Sequence, residues 1–363
     1  MLIDLIAGAR PNFIKLAPVV NEIQKRQKEG LNLDFRIIHT GQHYDYIMSQ
    51  TFFDELGIPA PDIHLDTEKG SQAVQTGSIM VKYEEELEKL KPDICIVFGD
   101  VNSTMACAIT AKKMDVPVAH VEAGIRSGDW SMPEEINRIV TDSICNWFFT
   151  TSKLAGENLL KHGASEDQIF FVGNTMIDTL LKHRPNFSKP DIFAEAQLSD
   201  GDYFVLTLHR PNNVDEAQKL ATTIEEIVHS GRDKKIIFPA HPRTAQILEN
   251  LNIEYDRLII TEPLGYLEFN FLVDHSFAVI TDSGGITEEA TVMQVPCFTL
   301  RNNTERPETI TIGTNELVGT DPANIKPALD RLFNGNRKKS SVPEKWDGNT
   351  SERIVNKLLE LDL

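Results

Sequence analysis

The sequence has no long apolar run, and this absence excludes one class of protein. No uninterrupted hydrophobic stretch approaches the roughly 18 residues that a membrane-spanning helix needs, although hydrophobic residues make up 41% of the 363 positions. The N-terminus, MLIDLIAGARPN, lacks the basic start and the cleavage site of a secretory signal. We therefore expect a globular protein of the cytoplasm that has no membrane partner.

Cysteine is scarce. The four residues, Cys95, Cys107, Cys145 and Cys297, stand far apart, and none belongs to a C-x-x-C pair. Scattered cysteines without metal-ligand spacing are typical of buried reduced thiols rather than of disulfides or zinc sites. The sequence therefore predicts no metal.

Positive charge is scarce as well, since 36 Lys and Arg residues face 54 Asp and Glu residues and the net charge is -18. A nucleic-acid-binding protein needs a basic surface, so this balance argues against nucleic acid as a partner. It leaves an anionic small ligand open, because a few local arginines and helix N-termini act at short range.

What the chain does contain is a regular alternation of short apolar runs with longer amphipathic segments. This alternation is typical of βα units around a mostly parallel sheet, and 363 residues exceed the usual size of one core, so we expect two doubly wound domains with a binding cleft between them. The polar, proline-containing segment 183–201 indicates their connection. The predicted strands are Leu2–Ala7, Phe35–His39, Ile94–Phe98, Pro117–Glu122, Trp147–Thr151 and Ile169–Val172, then Tyr203–Leu208, Lys235–Pro239, Leu258–Thr261, Phe277–Thr281 and Pro296–Thr299; the predicted helices include Tyr44–Leu56, Ser71–Leu90, Ser103–Met114 and Thr350–Leu361.

The most informative segment is HVEAGIRSGD (120–129), which PEEINR (133–138) follows. It places carboxylates and arginines just beyond a predicted strand, and open α/β sheets bind their ligands at strand ends. For Glu134 two interpretations stay open. It could complete a capping box with Ser131, or it could pair with Arg138 on one helix face and point at a ligand.

Two further turns of the first half carry polar residues after a strand. In GARPNFIK (8–15), Arg10 and the amides of a helix start suit an anion, although a surface arginine would look the same. This segment is not G-x-G-x-x-G, so the nicotinamide fingerprint is missing here. Asp100 could be a general base, or it could be a first-turn aspartate of a helix whose capping candidates are Asn102 and Ser103.

The second half repeats the strand, turn and helix arrangement with basic residues. His209 and Arg210 follow a strand and can both donate hydrogen bonds to a phosphate dianion. His241 follows the next strand in the same way. The polar loop 301–308 could help to close a site or could be a solvated loop.

The most specific segment of this half is TDSGGITEEA (281–290). Its glycines allow a ligand to approach the backbone closely, and Ser283 with the amides of the helix start favours an anion. Glu288 or Glu289, one turn into the helix, could accept hydrogen bonds from a ribose diol.

Together these segments resemble the non-hydrolysing UDP-N-acetylglucosamine 2-epimerase family along nearly the whole chain. Each motif alone is weak, but their succession in the family's order is highly specific. The motifs are GARPNFIKLAP (8–18), TGQH (40–43), FGDVNST (98–104), HVEAGIRSGD (120–129), PEEINR (133–138), GNTMID (173–178), LHRPNN (208–213), TDSGGITEEA (281–290) and TERPE (304–308).

The resemblance implies two Rossmann-like doubly wound domains around a central cleft, the architecture of GT-B glycosyltransferases. Residues 1–175 and the C-terminal helix 349–363 would form the first domain, and residues 176–348 the UDP-binding second domain. The resemblance also implies a homodimer and a reaction that needs neither a nicotinamide cofactor nor a metal.

The implied activity is the inversion of C2 of UDP-GlcNAc, which gives UDP-ManNAc. The C2 proton is not next to a carbonyl, so its loss must be coupled to the departure of UDP from C1, and UDP then adds back to a 2-acetamidoglucal. By resemblance the catalytic residues are Asp100, Glu122, Glu134, Arg138 and His209, with Asp100 and Glu122 as the expected acid/base pair. The residues expected to bind substrate and UDP are Arg10, Lys15, Arg210, His241, Ser283, Gly284, Gly285, Glu289 and Arg306.

Two segments depart from the family's pattern. The usual R-P-E reads Arg10-Pro11-Asn12, and the usual H-R-R-E-N reads HRPNN at 209–213. These departures put allosteric activation by UDP-GlcNAc in doubt and leave room for a modified substrate such as a UDP-2,3-diacetamido uronic acid. A hydrolysing epimerase, a GT-B glycosyltransferase and a sugar-nucleotide sensor also stay open, although a transferase and a sensor have no need for the three carboxylates.

Overall fold

The computed structural model describes residues 1–41, 50–68, 70–251 and 253–361, without the side chains of residues 50, 51, 211, 212 and 243. The chain forms two compact units. Unit 1 comprises Met1–Thr179 and Glu344–Leu363, and unit 2 comprises Leu180–Pro343.

Unit 1 is built around a parallel sheet. Its strands are β1 (Leu2–Ala7), β2 (Asp34–His39), β3 (Ile63–His64), β4 (Ile94–Phe98), β5 (Val118–Val121), β6 (Trp147–Thr150) and β7 (Ile169–Phe171). Its helices are α1 (Arg10–Lys28), α2 (Gln50–Leu56), α3 (Gln72–Lys89), α4 (Asn102–Lys113), α5 (Pro133–Ile144), α6 (Lys153–Lys161) and α7 (Thr175–His183), the last of which runs into unit 2. The strand order is β3-β2-β1-β4-β5-β6-β7.

Unit 2 repeats this plan. Its strands are β8 (Tyr203–Thr207), β9 (Lys235–Pro239), β10 (Leu258–Thr261), β11 (Ala278–Thr281), β12 (Cys297–Thr299) and β13 (Asn315–Leu317). Its helices are α8 (Asp191–Glu195), α9 (Pro211–Val214), α10 (Ala217–Ser230), α11 (Pro242–Asn250), α12 (Tyr266–Asp274), α13 (Gly284–Met293), α14 (Pro307–Thr311) and α15 (Ile325–Phe333). The strand order is β10-β9-β8-β11-β12-β13, and all pairs are parallel.

The strand orders decide where each unit can bind a ligand. In unit 1 the chain builds outward from β1 and then returns to place β4 on the other side of it, and in unit 2 it does the same with β8 and β11. Such a reversal opens a crevice at the carboxyl ends of the two central strands, because the connections on either side lead to opposite faces of the sheet. A ligand is therefore expected at the turns that follow β1, β4, β8 and β11.

The last helix, α16 (Thr350–Glu360), belongs to unit 1. Its N-terminus is fixed by the buried carboxylate of Asp178, which accepts hydrogen bonds from the backbone N–H groups of Thr350 (3.0 Å) and Ser351 (2.6 Å). A carboxylate at this end of a helix satisfies amides that have no partner inside the helix and interacts favourably with the helix dipole.

The predicted α/β fold with two doubly wound parallel sheets is confirmed. The apolar runs became strands because both faces of a parallel sheet are covered by helices, as the complete burial of β4 illustrates. The sequence missed β3 and β13, which are only 2 and 3 residues long and too short for a pattern. Part of the predicted helix Tyr44–Leu56 and the end of the TGQH motif lie outside the described residues, and the segment 183–201 contains α8.

Candidate active site

In unit 1 the turn after β1 is tied directly to the end of β4. Asn12, in the first turn of α1, accepts a hydrogen bond from the backbone N–H of Ala9 (3.0 Å) and donates one to the carbonyl oxygen of Phe98 (2.9 Å). Only an amide can do both, since a carboxylate has no proton to donate. The asparagine that departs from the family's pattern therefore holds together the two turns that carry Arg10 and Asp100.

Asp100 is held by a guanidinium group. Arg138 of α5 directs both Nε (2.9 Å) and Nη2 at Oδ2 of Asp100, and its Nη1 donates to Glu135 (2.7 Å). Burial would raise the pKa of Glu135, but hydrogen bonds from Ser127, Gly128 and Arg138 hold it below the ordinary value. A buried, ionised Glu135 thus fixes Arg138, and Arg138 fixes Asp100.

Glu122 forms a buried ion pair with Lys15 of α1. Glu122 follows β5 and has φ +75°, a left-handed backbone conformation that is unfavourable for a residue with a side chain. A Cβ atom added at Gly99 would lie 2.9 Å from Nζ of Lys15 and 3.4 Å from Oε2 of Glu122. The turn that carries Asp100 therefore lies against this ion pair, and we call Lys15, Asp100, Glu122 and Arg138 the carboxylate cluster.

A buried histidine joins the two strands that carry this cluster, and the sequence interpretation missed it. His120 in β5 lies 2.8 Å from the carbonyl oxygen of Gly99 through Nε2 and 2.7 Å from Asp142 through Nδ1. Asp142 also accepts hydrogen bonds from the backbone N–H of Gly124 (3.1 Å) and from Arg126 (2.6 Å). These contacts hold the backbone on both sides of Glu122, a role that the motif HVEAG does not reveal.

The structure corrects the local interpretation of Glu134. The N-cap of α5 is Met132, which makes no side-chain capping bond, and the hydroxyl of Ser131 donates to Asp129 (2.6 Å). The predicted capping box is therefore wrong. The predicted Glu134–Arg138 pair is wrong too, because Arg138 is bonded to Asp100 and Glu135. Glu134 is half-buried, and the described part of the chain offers its side chain no hydrogen bond or ion pair.

The capping interpretations at Asp100 are also wrong. Helix α4 begins at Asn102, its N-cap is Val101, and no side chain caps it. The side chain of Asn102 instead donates to Gln75 of α3 (2.7 Å) and accepts from Asn137 of α5 (3.2 Å). The side chain of Asp100 therefore does not cap α4, and it pairs with Arg138 of α5.

In unit 2 the turns after β8 and β11 meet at Asp282, which is completely buried. Its carboxylate accepts hydrogen bonds from the backbone N–H groups of His209 (3.1 Å) and Arg210 (2.9 Å) and lies 2.7 Å from Nδ1 of His209. Arg210 lies 3.8 Å from Glu305. We call His209, Arg210, Asp282 and Glu305 the cation cluster.

The start of α13 lies beside this cluster. Ser283 is the N-cap of α13 and makes no side-chain capping bond, so the first amides of the helix are not satisfied from within it. A Cβ atom added at Gly284 would lie 3.0 Å from Oε1 of Glu305, which explains why glycine follows Ser283. Gly285 continues α13 in its first turn. These amides and the neighbouring cations suit an anion.

The structure separates the two glutamates between which the sequence could not choose. Glu288 is buried and paired with Arg306 at 2.5 Å, whereas Oε1 of Glu289 accepts a hydrogen bond from Tyr266 (2.8 Å). Burial raises the pKa of Glu289 to about 7, against the opposing effect of hydrogen bonds from Tyr266 and Asn270. Glu289 is thus the member of the pair without a cationic partner in the described chain.

His241 is exposed and stands after β9, the neighbour of β8. Beside it a cavity of 530 Å³ lies between α11 and β10. Its polar lining includes three carboxylates, from Glu249, Glu254 and Glu262. This acidic lining does not suit a diphosphate, so the cavity is separate from the anion site at α13.

The described residues contain neither a metal-binding cluster nor a membrane-spanning helix. No group of three or more His, Cys, Asp or Glu side chains among them could hold a metal ion. No helix among them combines the length and the apolar character that crossing a bilayer requires.

Comparisons with known proteins identify the family to which this chain is similar. The family model described as UDP-N-acetylglucosamine 2-epimerase matches residues 24–359. The UDP-N-acetylglucosamine 2-epimerase of Methanocaldococcus jannaschii is 42% identical over 98% of both chains, and the UDP-2,3-diacetamido-2,3-dideoxy-D-glucuronate 2-epimerase of Pseudomonas aeruginosa is 40% identical over 88% of both.

A solved structure is similar over the same length. The crystal structure of the M. jannaschii UDP-GlcNAc 2-epimerase in complex with UDP-GlcNAc and UDP matches with a TM-score of 0.88 and 41% identity, covering 99% of this chain and 100% of that chain. The family model and the relatives cover nearly the whole chain and both units. The chain therefore belongs to the UDP-N-acetylglucosamine 2-epimerase family.

Proposed function

We propose that this chain is a non-hydrolysing UDP-N-acetylglucosamine 2-epimerase, which interconverts UDP-GlcNAc and UDP-ManNAc. The observation that carries the proposal is the contrast between the two clusters. Unit 1 presents carboxylates that are paired with buried cations and can exchange protons with a sugar. Unit 2 presents basic side chains and helix amides that can hold a diphosphate.

The reaction explains why both kinds of group are needed. A carboxylate removes the proton from C2 while the C1–O bond breaks, and UDP leaves with the electron pair of that bond. The 2-acetamidoglucal that forms receives a proton on the opposite face of C2, and UDP adds back to C1. Stabilising the leaving UDP is therefore as necessary as moving the proton.

We assign the proton transfers to Asp100 and Glu122. Both follow central strands of unit 1, and Gly99, the neighbour of Asp100 in the chain, lies close to Glu122. Glu134, which is half-buried and without a partner in the described chain, is assigned to orienting the sugar or to a third proton transfer. Arg138 fixes Asp100, and Lys15 fixes Glu122.

We assign the UDP to unit 2. Ser283, Gly284 and Gly285 offer the amides of α13 to phosphate, and His209 and Arg210 offer charge to the same dianion. Glu289 accepts from the ribose hydroxyls. Three more residues complete the proposed substrate-binding set on grounds of charge and position: Arg10, His241 and Arg306.

Incubation with UDP-GlcNAc alone in D2O tests this proposal. NMR should show UDP-ManNAc with deuterium at C2, because the proton that returns to C2 comes from groups that exchange with solvent. Free ManNAc with UDP as the main products would assign a hydrolysing reaction instead. No exchange at C2 with this substrate would refute the proposal for UDP-GlcNAc.

A second substrate is favoured by one comparison. The P. aeruginosa relative named UDP-2,3-diacetamido-2,3-dideoxy-D-glucuronate 2-epimerase is 40% identical, close to the 42% of the M. jannaschii enzyme. Parallel assays with the two UDP-sugars decide between them. We expect the larger kcat/KM with UDP-GlcNAc, and a larger value with the uronic acid would reassign the substrate.

We further propose that the chain forms a homodimer through unit 1. Helices α3, α4 and α5 pack side by side. Val81 of α3 and Ile136 of α5 are exposed, and so is Trp130, which shortly precedes α5. Exposed apolar side chains on neighbouring elements are a feature of interfaces. Light scattering should give twice the mass of the chain, and Val81→Asp with Ile136→Asp should halve it. A wild-type monomer at micromolar concentration would contradict this.

We also propose that the protein works in the cytoplasm. All four cysteines are free and buried, as in compartments where thiols stay reduced. Burial raises the pKa of the Cys107 thiol well above its ordinary value, so it is poorly reactive. Titration of the denatured protein, purified without reductant, should find four thiols per chain, and fewer would indicate disulfides.

A further inference from the structure

One nitrogen of the His209 ring lies against a buried carboxylate. Nδ1 lies 2.7 Å from Oδ1 of Asp282, while the side chain of His209 as a whole is more than half exposed. Because Nε2 is on the opposite side of the ring, it points away from Asp282. The two nitrogens therefore have different tasks.

The carboxylate of Asp282 is ionised. Burial would raise its pKa, but the hydrogen bond and charge of His209, with hydrogen bonds from Asn213 and the backbone of Arg210, hold the pKa below its ordinary value. An ionised carboxylate only accepts hydrogen bonds, so the nitrogen that faces it must carry a proton. Nδ1 is thus protonated whether the ring is neutral or charged.

We infer that Asp282 is a positioning residue that keeps a proton on Nδ1 of His209, so that Nε2 is the nitrogen that faces the diphosphate of UDP and donates to it when the ring is charged. This inference rests on the proposed function, which places UDP in unit 2. When the ring is charged, Nε2–H donates to the leaving UDP, and Asp282 stabilises the positive charge. After UDP has added back, the proton is again on Nε2, so none is consumed.

Asp282 also supports the backbone, and this second role must be separated from the first. Its carboxylate accepts from two backbone amides and from the side chain of Asn213 (3.0 Å), which itself donates to the carbonyl oxygen of Leu300 (3.1 Å). Two further charged groups of the cation cluster are Arg210, the next residue in the chain, and Glu305, which lies 3.8 Å from Arg210. Asn213→Ala removes a structural bond to the same carboxylate and leaves the ring contact, so it is a matched control.

Long-range ¹H–¹⁵N spectra of the histidine side chains test the inference without any assay of activity. In the wild type, Nδ1 of His209 should be protonated across the titration. In Asp282→Asn the neutral ring should shift toward the Nε2–H form that imidazoles prefer in water, whereas Asn213→Ala should keep Nδ1 protonated. A wild-type spectrum with neutral His209 protonated at Nε2 would overturn the inference, even if Asp282→Asn fails to fold.

A double-mutant cycle with UDP-GlcNAc tests the same link in catalysis. Loss of one preorganised donor costs roughly 10²-fold in kcat, so we expect that loss for His209→Gln and for Asp282→Asn, with KM changed far less. In the His209→Gln background, Asp282→Asn should cost less than about threefold, because the two act as one unit. Equal losses of kcat from Asp282→Asn in both backgrounds would mean that Asp282 has only a structural role. An inactive wild type would refute the proposed function instead, while the spectra would still decide on Asp282.

Discussion

One ion pair from each cluster shows the opposite arrangement of charge. In the Arg138–Asp100 pair of unit 1 the more exposed partner is the anion, since the side chain of Asp100 is 23% exposed and that of Arg138 only 3%. In unit 2 the more exposed partner is the base, since the side chain of His209 is 56% exposed and that of Asp282 is 0% exposed. Each buried partner fixes the exposed one and balances its charge.

This difference teaches how one fold provides two kinds of chemistry. Both clusters lie where the strand order reverses, so topology supplies the position but not the function. A carboxylate held by a buried cation stays ionised and can act on a C–H proton. A base held by a buried carboxylate stays oriented and can bind an anion. In these two ion pairs, the sign of the buried charge sets which chemistry the exposed partner can perform.

The largest effect should come from removing the exposed anion of unit 1. Asp100→Asn keeps the shape of the side chain but removes its charge and basicity, so C2 deuterium exchange with UDP-GlcNAc should fall by roughly 10³-fold. Binding of UDP, measured by calorimetry, should change little, because UDP is assigned to unit 2. An equal loss of UDP affinity would show that the clusters do not divide the work in this way.

The next largest effect should come from Arg138, the buried cation that pairs with Asp100. Arg138→Lys keeps the charge but cannot reach Asp100 and Glu135 together, so kcat should fall by roughly 10²-fold while the fold survives. Arg353→Lys, at a more exposed pair with Asp347 in the same unit, is the matched control and should leave kcat unchanged. A kcat for Arg138→Lys near that of the wild type would mean that Asp100 does not depend on its buried partner.

Unit 2 contains one buried carboxyl group that lacks such a partner, and its pH dependence sharpens the comparison. The pKa of Glu289 is raised from 4.5 to about 7 by burial. The folded protein therefore holds a proton that the unfolded chain loses above pH 4.5, so this group destabilises the fold increasingly as the pH rises toward 7. Glu289→Gln should then raise the free energy of unfolding by about 3 kcal/mol at pH 8 and by nearly nothing at pH 4.

Denaturant titrations at the two pH values measure this difference. Glu225→Gln, at an exposed position of α10, is the control and should change stability at neither pH. A stabilisation by Glu289→Gln that is the same at pH 4 and pH 8 would assign the effect to packing rather than to ionisation.

The smallest of the four effects should come from the exposed cation beside His209. Arg210→Ala should weaken UDP binding by about tenfold, the scale of one partly exposed charged hydrogen bond. Arg232→Ala removes an exposed arginine of the same unit that packs on Phe333, and it should leave UDP affinity unchanged. A loss of kcat at unchanged UDP affinity would move Arg210 from binding to catalysis.

The sequence identified residues at strand ends better than residues within strands. Asp100, Glu122 and His209 stand at the ends of apolar runs, so the position of a strand end sufficed to find them. Asp282 also follows a strand directly, so its position at a strand end is the signal that could have identified it. The adjacent Ser-Gly-Gly segment is the more conspicuous anion-binding pattern. His120 lies inside a strand, where nothing in the sequence distinguishes a buried bridging residue from a core residue.

Local patterns were least reliable at helix starts. The spacing of Ser131 and Glu134 predicts a capping box, yet α5 begins at Pro133 and its N-cap is Met132. A capping box depends on which residue has the non-helical N-cap conformation. Here Glu135 accepts hydrogen bonds from the backbone N–H groups of Ser127 and Gly128, and these bonds compete with a capping box at Ser131. Glu135 is therefore structural, whereas the side chain of Glu134 makes no hydrogen bond or ion pair within the described chain.

The sequence by itself determined the two doubly wound sheets and the turns that carry polar residues, because apolar periodicity and strand ends are local properties of the chain. Tertiary structure alone decided the partners. Arg138 and Asp100 are 38 positions apart and His209 and Asp282 are 73 apart, so no local pattern couples them. Their pairing depends on which strands become neighbours, and their burial, which fixes the charge of each cluster, exists only once the sheets and helices have packed.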